Sequence, residues 1–436
     1  MAAGLGTRMR SATPKHLHPL LGRRVIDWVL DAARALEPQQ LVVVTSPDGR
    51  DGLEGVELAV QEQPLGTGDA VAAARPALAD FDGDVLVLDG AAPLLTPKVL
   101  HGLVEEHRRS RAAVTLLTFS PETPFPYGRI LRDDRGAVVG IVEDGDATAE
   151  QREIRELNSS IYVFASADLW PALERLEPAN AQGELYLTDT VRELVQNGRG
   201  AAAFHSPDPV APIGVNTRAE LAAAAAVLRD RVNERHMLAG VTIVDPASTW
   251  IDADVHLEAE AIIHPFTVLR GRTSVAAGAE IGPHVVAVDT AIGVNAVVGP
   301  FCYLRPGTVL EERAKAGTFV EIKNSRIGRG AKVPHSSYLG DAEVGEGTNI
   351  AAGNITANYP HEPGRPKEKT VFGRNVRTGV DNSFRAPVTI GDDAWIAAGS
   401  VITEDVPPGA LAGFPPRQAV KEDYVYKKGD ERRDDD

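Results

Sequence analysis

From about Ile281 to Ile402 an aliphatic residue returns at every sixth position. Ile292, Val298, Leu304, Leu310, Ala316 and Ile322 form one unbroken series. Shorter series keep the rhythm at Val333 and Leu339, at Val344 and Ile350, and at Ile390, Ile396 and Ile402. Glycine often comes next, as at Gly282, Gly293, Gly299, Gly340, Gly345 and Gly391. A helix repeats about every 3.6 residues and a strand every two, so neither produces this period. A parallel β-helix with three short sides does, because each side takes one hexapeptide and its aliphatic residue points to the axis. A single coil cannot bury its inward face, so the coils must stack into one continuous apolar core. Phase breaks after Ile322 and after Ile355 read as corner insertions. The second, 358–369, is too long for a corner and predicts a projecting loop.

The pattern from Met1 to about Arg218 is different. Apolar runs at 41–45, 84–90, 112–119 and 159–165 read as strands, and 25–36 and 95–111 read as helices between them. This alternation predicts a mainly parallel sheet covered by helices on both faces, with ligands at the carboxyl edge of the strands. An Ala-rich stretch at 219–240, free of Gly and Pro until its end, predicts a linker helix. The expected organisation is therefore an α/β domain over 1–218, the linker, a left-handed parallel β-helix over 241–425 and a disordered tail over 426–436.

Bulk properties narrow the function. The 436 residues suffice for at least two cores, and 45 basic against 61 acidic residues give a formal charge of −16, which argues against nucleic acid as a partner. One cysteine, Cys302, rules out internal disulfides and suits a reducing cytoplasm; it reads as a small buried hydrophobe. The chain has neither a secretory leader pattern nor an apolar run long enough to span a bilayer, so a soluble cytoplasmic protein without membrane insertion is expected.

Candidate chemistry comes in two sets. The chain opens AAGLGTRM (2–9), followed by SATPKHL (11–17): a Gly-rich turn whose backbone N–H groups can hold phosphate, with Arg8 and Lys15 adding charge. QEQPLGTGDAV (61–71), PYGRI (126–130), GIVEDGDAT (140–148), RELNSSIYVF (155–164), NAQGELYLTD (180–189) and GVNTR (214–218) follow. In the repeat region stand YLRPG (303–307), VEIKNSRIG (320–328) and KVPHSSYLGDAEVGEGTNIAAGNITANY (332–359).

In this order the motifs resemble the GlmU family, bifunctional N-acetylglucosamine-1-phosphate uridyltransferase/glucosamine-1-phosphate N-acetyltransferases, over about residues 1–425. The resemblance implies a Rossmann-like nucleotidyltransferase domain followed by a hexapeptide-repeat β-helix. It implies homotrimers and synthesis of UDP-N-acetylglucosamine: acetyl-CoA acetylates glucosamine-1-phosphate, then UTP with Mg²⁺ uridylylates N-acetylglucosamine-1-phosphate. For the first domain it implies uridine contacts from Ala2, Ala3, Gly4, Gln61, Gly66 and Thr67, phosphate contacts from Arg8 and Lys15, and sugar contacts from Gly128, Glu143 and Asn158. Asn216 is implied as a metal ligand. In the β-helix it implies His335 as proton acceptor, a role suited to a group that titrates near neutrality. Arg305 and Lys323 are implied for the sugar phosphate and Tyr338 and Asn349 for its hydroxyls, while Lys367 or Lys369, in the projecting loop, is expected to close over a neighbouring site. Ala352, Asn358, Tyr359 and Ala398 are implied for acetyl-CoA.

Four departures stand out. Where the family has G-D-x-P-L this chain reads DGAAPLL (89–95), so Ala91 replaces the metal-binding carboxylate. Mg²⁺ prefers carboxylate oxygen, and its loss predicts an impaired uridyl transfer unless Asp89 substitutes. The family also has a buried strand before the Gly-rich turn, whereas here the turn begins at Met1. Either the start lies upstream, the more economical reading, or the sheet lacks a central strand and carries unpaired backbone and a void. Val380 replaces a family serine at the coenzyme site, and Arg417 lies near, but not at, the position of a family arginine. Alternatives to the bifunctional reading are acetylation alone, a nucleotidyltransferase for another sugar phosphate, and a non-catalytic sugar-nucleotide-binding paralogue. The intact set around His335 argues against the last two.

Overall fold

The computed structural model describes residues 1–422 except Leu5, 50–52, Glu54, 123–125, His361, Pro363, 415–417 and Ala419. The tail at 426–436 and Arg417 fall outside the described residues. The chain divides into two compact units, Met1–Arg229 and Asp230–Asp436.

The first unit runs α1 (Val25–Arg34), β1 (Val42–Thr45), β2 (Glu57–Val60), α2 (Thr67–Ala72), β3 (Asp84–Val87), α3 (Pro97–Ser110), β4 (Val114–Phe119), β5 (Arg129–Arg132), β6 (Val138–Val142), β7 (Leu157–Ala165), α4 (Ser166–Glu174), α5 (Asp189–Gln196) and β8 (Ala201–His205), and the division between the units falls inside α6 (Arg218–Leu238). Local signals explain the helix starts. The Asp27 side chain accepts from the Arg24 N–H at 2.8 Å at the head of α1, and Thr96 caps α3 with Pro97 in its first turn. One face of α1 (Val25, Ile26, Val29, Leu30, Ala33) is buried, as a 3.6-residue period requires.

The sheet is mixed rather than mainly parallel. β8 pairs parallel with β4, but β7 lies antiparallel to both β3 and β4. Between β4 and β7 the chain builds the β5–β6 hairpin and one short helical turn. Antiparallel neighbours need no long crossover, which is what permits this order. Phe119, Tyr162 and Phe164 fill the core at 0–1% exposure. β1 and β2 form a separate parallel pair. Between β1 and β3 lie Met1 and Ala2: the Ala2 N–H donates to Val44 C=O at 2.7 Å, and the Met1 ammonium donates to Leu88 C=O at 2.8 Å. Beside them lies a cleft of about 530 Å³ with aliphatic walls.

The second unit is a parallel β-helix of three faces. On the first, Ile263, Ile281, Val298, Ala316 and Val333 stack in register. On the second, Ile251, Leu269, Ala287, Leu304, Ile322 and Leu339 do so. The third stacks Leu257, Val275, Ile292, Leu310, Ile327, Val344, Phe372 and Ile390. These residues are at most 6% exposed, and full burial of each such side chain is worth roughly 1.5–3 kcal/mol. The coils begin earlier than the series from Ile281: Ile251, Leu257, Ile263, Leu269 and Val275 already keep the six-residue step. The break after Ile322 is a shortened corner, not an insertion, since Ile322 and Ile327 are both inward residues. After Ile350 the inward position falls to Thr356, whose hydroxyl accepts from the Gly340 N–H at 2.7 Å, while Ile355 faces outward. The insertion at 358–369 then separates the strands Ile355–Ala357 and Thr370–Phe372.

Candidate active sites

In the first unit the Gly-rich turn leads from the strand stub into a 3₁₀ turn at Thr7–Met9, with Ala2 and Ala3 buried and Gly4 and Arg8 exposed. A second 3₁₀ turn, Lys15–Leu17, aims the Lys15 ammonium at two oxygens from distant segments: Asn216 Oδ1 at 3.2 Å and Asp89 Oδ1 at 3.9 Å. Asp89 also accepts from the Ala91 N–H at 3.0 Å, and Ala91 itself is 0% exposed. Two oxygen donors of the kind Mg²⁺ prefers thus converge beside one cationic atom, although among the described residues no group of three or more His, Cys, Asp or Glu is positioned to hold a metal.

Gln61 bonds directly to Gly66, while Thr67 bonds to Leu187. Gln61 Nε2 donates to Gly66 C=O at 3.0 Å and to Asp69 at 2.8 Å, and Thr67 Oγ1 accepts from the Leu187 N–H at 2.9 Å. Gly66 has φ +124° and a Cβ there would lie 2.5 Å from Leu185 C=O, so only glycine fits. Gly128 C=O accepts from the Asn158 N–H at 2.8 Å, and a Cβ on Gly128 would sit 3.4 Å from a Glu143 oxygen. These three implied sugar contacts are therefore neighbours. Burial raises the Glu143 pKa, with a Thr188 hydroxyl bond at 3.1 Å opposing it.

In the β-helix the corner between the first and second faces repeats down the structure with left-handed residues at Phe266, His284, Phe301, Phe319, Ser336 and Asp381. Backbone bonds tie the corners together: Ser336 N–H to Thr318 C=O, Gly353 N–H to Ser336 C=O, Asp381 N–H to Ala352 C=O and Gly399 N–H to Val380 C=O. His335, Ala352, Val380 and Ala398 each precede the turning residue of a successive coil, so they line up along one edge. His335 is exposed at the end of the strand Lys332–His335. Asn349 lies on the same face, bridging Lys332 and Arg377. In the other direction the edge carries a ring stack, Phe266–His284–Phe301–Phe319, with centroids 4.7, 4.7 and 5.4 Å apart.

The second face gathers the cations. Lys323 has its pKa lowered chiefly by a contact with Lys367, with Arg305 adding to the effect. Arg305 is held by Glu321 at 2.8 Å and stands over the Tyr303 ring. Arg305, Lys323, Lys367 and their neighbour Tyr338 thus form one cluster, into which the projecting insertion delivers Lys367. Lys369 is turned away to Glu343 at 2.6 Å. Asn358 is 6% exposed and donates to Asp341, whereas Tyr359 is 75% exposed under Lys367. Cys302 is a core residue: burial pushes its thiol up to about 12, and Sγ lies 3.1 Å from Val320 C=O.

Sequence reasoning missed the residues that support these clusters. Tyr127, its hydroxyl pushed up to about 12 mainly by burial, accepts from the Gly214 N–H at 3.0 Å, steadying the segment that carries Asn216. Glu220 caps the Asn216 N–H at 2.7 Å, Asp69 orients Gln61, and Asp341 binds both Asn324 and Asn358. Asp69 and Asp341 each sit inside a quoted motif, which was the available signal.

Residues 1–198 match a family of MobA-like NTP transferase domains. Over 98% of this chain and 92% of the relative, the sequence is 47% identical to the Bifunctional protein GlmU of Mycobacterium tuberculosis strain ATCC 25177 / H37Ra. Identity is 46% to that of Mycolicibacterium vanbaalenii, over 98% of this chain and 92% of the relative. It is 44% to that of Corynebacterium aurimucosum, over 98% and 93%.

Proposed function

This chain belongs to the GlmU family, the bifunctional acetyltransferase–uridyltransferases of UDP-N-acetylglucosamine synthesis, and on that premise we propose which side chains carry each reaction and which of the two is weakened. In the second unit the amine of glucosamine-1-phosphate attacks the thioester carbon of acetyl-CoA. His335 takes the amine proton, the C–S bond breaks, and coenzyme A leaves as its thiolate. Arg305, Lys323 and Lys367 hold the sugar phosphate, since three cations on one exposed face suit a dianion far better than any metabolic cation. Tyr338 and Asn349 bind the sugar hydroxyls. Ala352, Asn358, Tyr359 and Ala398 line the coenzyme channel.

The observation that carries this reading is the single edge shared by His335, Ala352, Val380 and Ala398, one coil apart. Val380 offers the coenzyme no hydroxyl, which bears on its affinity and not on proton transfer. The exposed rings of Phe266, Phe301 and Phe319 on that edge support a homotrimer, because threefold assembly would cover them.

In the first unit N-acetylglucosamine-1-phosphate attacks the α-phosphorus of UTP and pyrophosphate leaves. Ala2, Ala3, Gly4, Gln61, Gly66 and Thr67 hold the uridine, Arg8 and Lys15 the phosphates, and Gly128, Glu143 and Asn158 the sugar. Asp89 and Asn216 would hold Mg²⁺, which when bound would supply charge neutralisation at the transferring phosphorus. With Ala91 in place of the family carboxylate, the neighbouring Asp89 is already engaged by the Lys15 ammonium and the Ala91 N–H, so this half-reaction is the slow one. Two assays on the purified full chain test the proposal: acetyl-CoA consumption with glucosamine-1-phosphate, and pyrophosphate release from UTP and N-acetylglucosamine-1-phosphate. Ready acetylation with slow pyrophosphate release is expected. The reverse order of rates would sink it.

A further inference from the structure

The corner between the second and third faces of the β-helix carries a left-handed residue in successive coils: Gly271, Asp289, Gly307, Asn324 and Asp341. Gly, Asn and Asp all tolerate that backbone, so the corner alone does not call for a carboxylate. Asp289 shows the plain use of one: it is exposed and accepts from the backbone N–H of Arg272 at 2.8 Å. Asp341 differs. It is 8% exposed, and its two oxygens accept from two side-chain amides, Asn324 Nδ2 in the coil before and Asn358 Nδ2 at the root of the insertion. A carboxylate is withdrawn from water only where other donors replace it, and these two do so.

The Asp341 main chain holds the other root of the insertion. Its C=O accepts from the Thr370 N–H at 3.3 Å, and the Glu368 N–H donates to Asn358 C=O at 3.2 Å. The chain therefore leaves at Asn358 and returns at Thr370 against the same residue. Groups assigned above to both substrates gather around this point. A Cβ on Gly340 would overlap the Tyr338 hydroxyl and lie 2.6 Å from the Asn358 amide nitrogen, so both converge over that glycine. Lys323 C=O accepts from the Asp341 N–H at 3.0 Å, and the Asp341 charge opposes the repulsion that Lys367 and Arg305 exert on the Lys323 ammonium. Beyond the root, Lys367 Nζ stands 5.9 Å from the centre of the Tyr359 ring.

We propose that Asp341 is a positioning residue that couples the two substrates of acetyl transfer: its buried carboxylate fixes Asn358 on the coenzyme side and, through the insertion rooted there, Lys367 on the sugar-phosphate side. Asp341 itself touches neither substrate. Coenzyme settling against Asn358 and Tyr359 orders the insertion and brings Lys367 to the phosphate. Sugar phosphate engaging Lys367 orders the same root for the coenzyme. By linkage the two effects are equal in size. This role rests on the acetyl-transfer reading of the site.

The test uses the full chain, with coenzyme A and glucosamine-1-phosphate as titrants and the acetyl-transfer assay beside them. In the unaltered chain saturating coenzyme A should tighten glucosamine-1-phosphate about tenfold, an ordinary coupling between sites, and should slow hydrogen exchange at the Glu368 and Thr370 amides. Asp341→Ala should abolish that coupling and raise both KM values about tenfold while kcat stays within about threefold. A merely structural role would instead lower the active fraction, and with it kcat, and leave both KM values alone. Lys367→Ala should cost less in the Asp341→Ala background than by itself, because Lys367 is already misplaced there. Should Asp341→Ala not fold, Asp341→Asn, of the same size but without the charge, should weaken the coupling, and the exchange result on the unaltered chain stands without any variant. Coupling that survives both substitutions, a KM change for one substrate only, strictly additive losses with Lys367→Ala, or no slowing at Glu368 and Thr370 overturns the proposal. Absence of acetyl transfer by the unaltered chain overturns the underlying reading and this role with it; normal transfer without coupling overturns the role alone.

Discussion

His335 and Lys15 reach their positions by opposite means. His335 sits on an edge that every coil repeats. Its height is set by the corners bonded above and below it, and each inward aliphatic residue of the prism supports that edge equally. Lys15, Asp89 and Asn216 converge from three segments separated by most of the first unit, and each contact is made once. A repeat distributes the positioning of a site over many weak, equivalent contacts. A site drawn together across an α/β sheet concentrates it in a few contacts, each made once.

The sharpest way to break the comparison is to delete the proposed base. His335→Ala should lower kcat for acetyl transfer by roughly 10²–10⁴-fold, the usual worth of a positioned general base, with pyrophosphate release unchanged. A common loss in both assays would mean the halves are not independent. Next in size is the core of the prism: Leu304 is fully buried, and Leu304→Ala should cost the second unit about 2–5 kcal/mol by denaturant unfolding. A loss under about 1 kcal/mol would show that the coils do not share one tightly packed axis.

How far the sequence carried these points differs between the halves for the same reason. The prism was readable because its core recurs at a fixed step: Leu304, Leu310, Ala316 and Ile322 announce the axis without any knowledge of what faces them. The earlier coils escaped because their corners carry Asp252, Asp254, Glu258 and Glu260 where later ones carry glycine, although Ile251, Leu257 and Ile263 keep the step. Burial excludes other roles for Cys302 in a way one cysteine in a sequence cannot. In the first unit, strands and helices were legible by alternation, but the antiparallel direction of β7 was not, since an apolar run has no polarity. Nor was the contact of Lys323 with Lys367, or of Tyr127 with Gly214, because a motif records order along the chain and not distance through space. The family resemblance supplied the residues of both sites; only geometry shows which of them touch.

Smaller effects sharpen the account. Lys367→Ala should raise the KM for glucosamine-1-phosphate about tenfold, as loss of a charge-assisted bond to phosphate implies. Lys323→Ala added to it should cost more than its separate effect, since removing Lys367 also removes the repulsion that lowers the Lys323 pKa and leaves Lys323 carrying more of the phosphate. Equal, additive losses would show that the two amines do not share one phosphate. The mildest effect is on acid stability. Burial holds His16 of the first unit and His236 of the second at about 4, below the usual 6.5. An unfolded chain therefore binds protons that the folded one refuses, and stability falls in both units as pH drops from about 6.5 toward 4. Thermal melts across that range check the sign; a midpoint that rises as pH falls would contradict it.

The most direct test of the central claim is Ala91→Asp, assayed for both reactions on the same preparation. Pyrophosphate release should rise at least tenfold with acetyl transfer unchanged, because the substitution returns a carboxylate to a cluster that already holds Asn216 and Lys15. If pyrophosphate release is unmoved, or if the unaltered chain already releases it as fast as it acetylates, the metal-site account of the first unit is wrong.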